Sequence, residues 1–111
     1  MIKHCHKTLF LFTLAASVAF LGSSAMGQDS TESIYKAKCA VCHAADGSGD
    51  TAMGKKLEVQ SFNAPAVAKL SDAVFLEVTI KGKGKMPSYE KKLTDDQIKD
   101  LVKYIRGLGK K

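Results

Sequence analysis

Lys38-Cys39-Ala40-Val41-Cys42-His43-Ala44 is the stretch on which the reading of this 111-residue chain turns. Its C-x-x-C-H spacing is the attachment signature of a c-type haem. Cysteines three apart on a helix lie about one turn from each other, so both sulfurs can reach the two vinyl groups along one haem edge and form thioethers. The next residue, His43, is then carried under the ring, where a neutral imidazole can supply a nitrogen to the iron. Two other chemistries use C-x-x-C. A structural zinc site needs a second Cys/His cluster, and no cysteine or histidine follows His43. A thioredoxin-like redox couple needs a βαβ frame, which the chain does not show. One covalently bound haem c, held by Cys39 and Cys42, is therefore the cofactor the motif predicts.

Upstream of the motif, residues 1–27 have the three parts of a secretory signal. Lys3 and Lys7 give a positive start, Thr8 to Leu21 form an apolar run, and small residues Gly22, Ser23, Ser24, Ala25 and Gly27 follow. Cleavage is expected after Gly27, with Ala25 as the second choice. A 14-residue apolar run falls short of the roughly 20 residues needed to cross a bilayer, so no stable membrane insertion is expected after cleavage. The competing histidines His4 and His6 and the third cysteine, Cys5, depart with this leader. Export to the periplasm follows from the same reading.

Removal of 27 residues from 111 leaves 84, enough for one domain (28–111) but too few to bury a generous apolar core. Such chains need a staple. With only the motif cysteines remaining, the staple is expected to be the haem. Loss of Lys3 and Lys7 takes the basic residues from 17 to 15 against 11 acids, a formal +4. That balance favours an acidic protein partner. The lysines carry no interleaved aromatics, which argues against nucleic acid.

The mature segment reads as helices joined by turns. Asp29 or Ser30 caps a first helix, with Glu32 folding back over its first turn. The helix ends inside the motif, because Ala44-Ala45-Asp46-Gly47-Ser48-Gly49-Asp50 is turn chemistry. Asp46, Ser48 and Asp50 alternate like calcium ligands, but the remaining ligands of a twelve-residue loop are missing. A short helical turn is expected near Lys55–Leu57, followed by loop, with Leu57, Val59 and Phe62 toward the haem. Ser71-Asp72 caps a helix carrying Val74, Phe75, Val78 and Thr79, which Gly82 stops. Thr94-Asp95-Asp96-Gln97 is a capping box opening a helix expected to run to Arg106 and end at Gly107. Its apolar face is Ile98, Leu101, Val102, Ile105 and Leu108.

The chemistry depends on the second axial position. Beyond the leader only Met53 and Met86 remain as methionines. Met53 is ten residues from His43, too near to swing round easily to the opposite haem face, whereas Met86 is 43 residues away. Met86 also sits in a flexible loop, Lys81-Gly82-Lys83-Gly84-Lys85-Met86-Pro87, stiffened by the proline after it. His43 and Met86 are thus the expected axial iron ligands, with a lysine of the same loop as the alternative. His/Met coordination leaves iron no open site, and the soft thioether favours ferrous iron. That is electron-carrier chemistry, with no catalytic residues.

With these residues in place, the chain resembles the small bacterial class I cytochromes c over essentially all of residues 28–111. The resemblance rests on Cys39-x-x-Cys42-His43, Asp46-Gly47-x-Gly49, Gly82-x-Gly84-x-Met86-Pro87 and a terminal helix with Leu101 and Tyr104. It implies an all-α fold of three to five helices wrapped around one covalently attached haem. It also implies that Tyr35, four residues before the first cysteine, packs on Leu101 and Tyr104. Many relatives carry a proline soon after the motif, whose carbonyl accepts a hydrogen bond from the axial histidine, but this chain has none between His43 and Pro65. Two functions are compatible with the reading. One is a monomeric periplasmic carrier that shuttles single electrons between redox proteins. The other is a dedicated haem subunit of a dehydrogenase or oxidase. A haem enzyme or gas sensor with a labile sixth ligand is disfavoured by Met86.

Overall fold

The computed structural model describes residues 30–111, so the expected leader and its cleavage point lie outside the described residues. Six helical segments follow one another: α1 (Thr31–Lys38), α2 (Ala40–His43), α3 (Ala52–Lys56), α4 (Pro65–Ala68), α5 (Asp72–Lys81) and α6 (Asp95–Leu108). Three to five helices were expected, and the excess lies in the four-residue segments α2 and α4. Among the described residues the only β pairing is an isolated bridge between Lys83 and Met86.

Local chemistry sets the ends. The Thr94 hydroxyl accepts from the Gln97 amide at 3.2 Å while the Gln97 side chain accepts from the Thr94 amide at 2.8 Å, so both arms of the capping box are made. Ser71 caps α5, and Gly82 ends it at φ 76, a backbone conformation suited to glycine. At α1 the cap is Ser30, whose hydroxyl accepts from the Ser33 amide. Glu32 does not fold back. It pairs with Lys36 one turn on, at 2.6 Å, because it stands at the second helical position rather than the third. The short helix of the fifties starts earlier than expected, since Thr51 caps it by accepting from the Gly54 amide at 2.8 Å.

Helix α6 also overruns its expected end, continuing through Gly107 to Leu108. A glycine inside a helix costs about 1 kcal/mol relative to alanine. Burial of Leu108, only 8 % exposed, contributes about 1.5–3 kcal/mol and outweighs it.

The core forms where α1 crosses α6. Ile34, Tyr35, Phe62, Leu101, Ile105 and Leu108 make one buried cluster. Tyr35 is fully buried, its ring 5.1 Å from that of Tyr104, and its hydroxyl donates to the Ala44 carbonyl at 2.7 Å. That bond ties the α1/α6 crossing to the residue immediately after His43, and so fixes the motif on the buried core.

Candidate haem site

The motif is built by a nearly continuous helix with a joint at Cys39. The Cys39 amide donates to the Tyr35 carbonyl at 2.8 Å, and the Cys39 carbonyl accepts from His43 at 2.9 Å. Cys39 and Cys42 are half-buried free thiols. Burial pushes the Cys39 thiol up to about 11. Two glycine-containing turns then bring the chain back against the motif. The Gly49 amide donates to the His43 carbonyl at 2.8 Å, and the Thr51 hydroxyl donates to the Val41 carbonyl at 2.7 Å.

Cys39, Cys42, His43 and Met86 all line one cavity of about 560 Å³. That volume lies within the range of sites that enclose a sizeable organic ligand, about 300–1,000 Å³. Leu57, Val59 and Phe62 line it too, as expected, while Lys38, Lys83 and Lys85 contribute to its wall. Met53 does not line it and is 41 % exposed. Phe75 both packs on the buried cluster and lines the cavity.

His43 carries the donor chemistry. Desolvation holds its imidazole below the usual histidine range, so the ring is neutral and keeps a nitrogen lone pair. Its Nδ1 is buried without a hydrogen-bond partner in the protein. Its face lies against Phe62, with ring centroids 4.6 Å apart and planes at 17°. Two thiols, a neutral imidazole, a thioether and a mostly apolar wall form a donor set that fits haem.

The loop bearing Met86 is held at both ends. The Lys83 amide donates to the Met86 carbonyl at 3.1 Å and the Met86 amide to the Lys83 carbonyl at 2.9 Å, making a tight turn through Gly84 at φ 56. Beyond Pro87, the Tyr89 amide donates to the Thr79 carbonyl, and the Tyr89 hydroxyl donates to the Lys38 carbonyl at 3.1 Å. This last bond joins the methionine loop to the start of the haem motif. Neither Tyr89 nor Thr51 was singled out from the sequence. For Thr51 the available signal was its hydroxyl three residues before Gly54, and for Tyr89 only an aromatic just past Met86-Pro87.

A helical shell whose apolar cavity collects a C-x-x-C-H motif and a distant methionine defines a c-type cytochrome. The family model described as cytochrome c oxidase, cbb3-type, subunit III matches residues 27–105. The chain is 31% identical to a cytochrome c6 of Porphyra purpurea, over 95% of this chain and 96% of that one. It is also 31% identical to the cbb3-type cytochrome c oxidase subunit CcoP of Azospirillum sp. (strain B510), over 92% of this chain but 34% of the relative. Among solved structures, the KustC0563 c-type cytochrome superposes with a TM-score of 0.65 at 31% identity, covering 70% of this chain and 95% of the other. The chain belongs to the class I c-type cytochromes, and its cofactor is covalently bound haem c.

Proposed function

We propose that this protein is a monohaem electron carrier, with haem joined to Cys39 and Cys42 and its iron held between His43 and Met86. The observation that carries the reading is that these four side chains line one cavity, whereas the other methionine of the domain, Met53, is exposed and off it. When bound, the haem supplies a one-electron couple. The chain holds the imidazole neutral, keeps the thioether at the same cavity and shields both behind apolar side chains. Were His43 and Met86 both to hold the iron, the chain's own side chains would leave it no position for substrate, and the haem would supply one-electron transfer alone.

The wider setting follows the same proposal. Residues 1–27 act as an export leader, the domain 28–111 works in the periplasm as a monomer, and it meets redox proteins through an acidic surface of theirs. No helix among the described residues is long and apolar enough to cross a membrane. A dedicated oxidase subunit is the second reading, favoured by the CcoP match. Purification from the native periplasm separates the two, since a free carrier elutes alone.

The test uses protein matured with its cytochrome assembly machinery. Haem should stay with the chain after denaturation and acid–solvent extraction. Met86→His should keep the haem, lower the potential and abolish the sulfur-to-iron charge-transfer band of the oxidised form. An unchanged spectrum and potential would reassign the ligand to Met53 or a lysine.

A further inference from the structure

A histidine that binds a metal through one ring nitrogen ordinarily donates the other N–H to a carbonyl, carboxylate or water, which fixes the ring and raises its basicity. His43 departs from this, because its Nδ1 is buried and has no partner among the protein's polar atoms. Three carbonyls of the loop that follows have other donors. Ala44 accepts from the Tyr35 hydroxyl and the Gly47 amide, Gly47 from the Phe62 amide, and Gly49 from the Thr51 amide. What His43 does have is a face contact, nearly parallel, with the ring of Phe62 at 4.6 Å.

Phe62 is itself immobilised. It is 8 % exposed, and its amide is anchored to the Gly47 carbonyl at 2.9 Å. Gly47 comes so close that a methyl group on it would lie 2.6 Å from Cδ2 of the Phe62 ring. Phe75 stands against another side, with centroids 6.3 Å apart and planes at 51°. A ring hemmed in this way cannot turn off the imidazole without disturbing the core, so it acts as a fixed wall.

We infer that Phe62 is the positioning residue for His43: the flat wall of its ring, rather than any side chain or carbonyl of the protein bonded to Nδ1, sets the plane of the imidazole. The inference rests on the reading of His43 as iron ligand. It makes the orientation of the imidazole a property of packing.

The test reads the g values of the ferric holoprotein by electron paramagnetic resonance, together with its reduction potential. Phe62→Leu and Phe62→Met remove the flat face and keep apolar bulk, whereas Phe62→Tyr keeps the ring. Leu108→Ala loosens the same core without touching the face of His43. Haem attachment is verified by mass for each. The expected result is shifted, broadened g values and a moved potential in the Leu and Met variants, with wild-type g values in Phe62→Tyr and Leu108→Ala. Wild-type g values and potential in the Leu and Met variants would overturn the inference, as would an equal shift in Leu108→Ala. Should the Leu and Met variants fail to fold, the wild-type ferric protein decides: dipolar cross-peaks between the Phe62 ring and the hyperfine-shifted His43 ring protons are expected, and their absence overturns it. Failure of the ligand reading looks different, since the unsubstituted protein would then lack the low-spin spectrum of a histidine-bound haem.

Discussion

Ala44 pairs φ 63 with ψ 162, a combination that only glycine adopts freely. It sits there because three bonds converge on it: its amide donates to the Ala40 carbonyl, and its own carbonyl accepts from the Tyr35 hydroxyl and the Gly47 amide. The strain of such a residue is about 1–3 kcal/mol, against about 0.5–1 kcal/mol for the greater entropy that glycine loses on folding. Ala44→Gly should therefore stabilise the holoprotein by about 1 kcal/mol, measured as a higher denaturant midpoint with an unchanged slope. An unchanged or lower midpoint would mean that the bonds around Ala44 relieve the strain by other means. The sequence marked residues 44–50 as a turn but not Ala44 as its strained member, because alanine gives no local sign of a conformation imposed by contacts nine residues away. The stack of Phe62 on His43 was invisible for the same reason. Phe62 could be aimed at the cavity from its apolar setting, yet its partner face depends on how the Gly47 turn closes.

Helices were legible in proportion to their length and capping chemistry. Helix α6 declared both its cap and its apolar stripe, and α5 its Ser71 cap and Gly82 stop, whereas the four residues of α4 are too few to show any period. Besides Val67, which packs on the buried cluster, α4 is held by Arg106, reaching across from α6. Its guanidinium donates to Asp72 at 2.7 Å, to the Ala68 carbonyl at 3.2 Å and to the Leu70 carbonyl, and lies 4.2 Å over the Phe75 ring. A single ammonium cannot serve three acceptors and an aromatic face in this fork geometry. Arg106→Lys should cost about 1–2 kcal/mol and speed hydrogen exchange at the amides of Lys69 and Leu70, leaving α6 itself protected. By contrast Leu101→Ala, at a residue 1 % exposed where α1 meets α6, should cost about 2–5 kcal/mol and lower protection in both helices together. If Arg106→Lys opened α6 as widely as Leu101→Ala does, the arginine would be part of the central core rather than a strap on α4.

At the scale of the molecule, the cavity lined by Cys39, Cys42 and His43 on one side and by Lys83 to Met86 on the other decides where charge can act. The loop before Met86 carries a trio of lysines at 81, 83 and 85. The structure divides it, because Lys81 pairs with Glu77 at 3.1 Å and does not line the cavity. Lys83 and Lys85 do line it, joined by Lys38 from the end of α1, and none of these three takes part in an ion pair among the described residues. An unpaired charge projects its field, whereas one neutralised by a neighbour a turn away largely does not. Steering by such a cluster raises association rates roughly 10- to 1,000-fold and is screened over about 8 Å at physiological salt but about 30 Å at 0.01 M. Changing Lys38, Lys83 and Lys85 together to glutamate should therefore slow electron exchange with an acidic redox partner by at least about tenfold at 0.01 M salt, with the deficit shrinking as salt rises. Lys81→Glu should change the rate much less. Stopped-flow reduction across a salt series checks both, and equal effects from Lys81→Glu and from the cavity lysines would show that net charge, not the cavity mouth, governs the encounter.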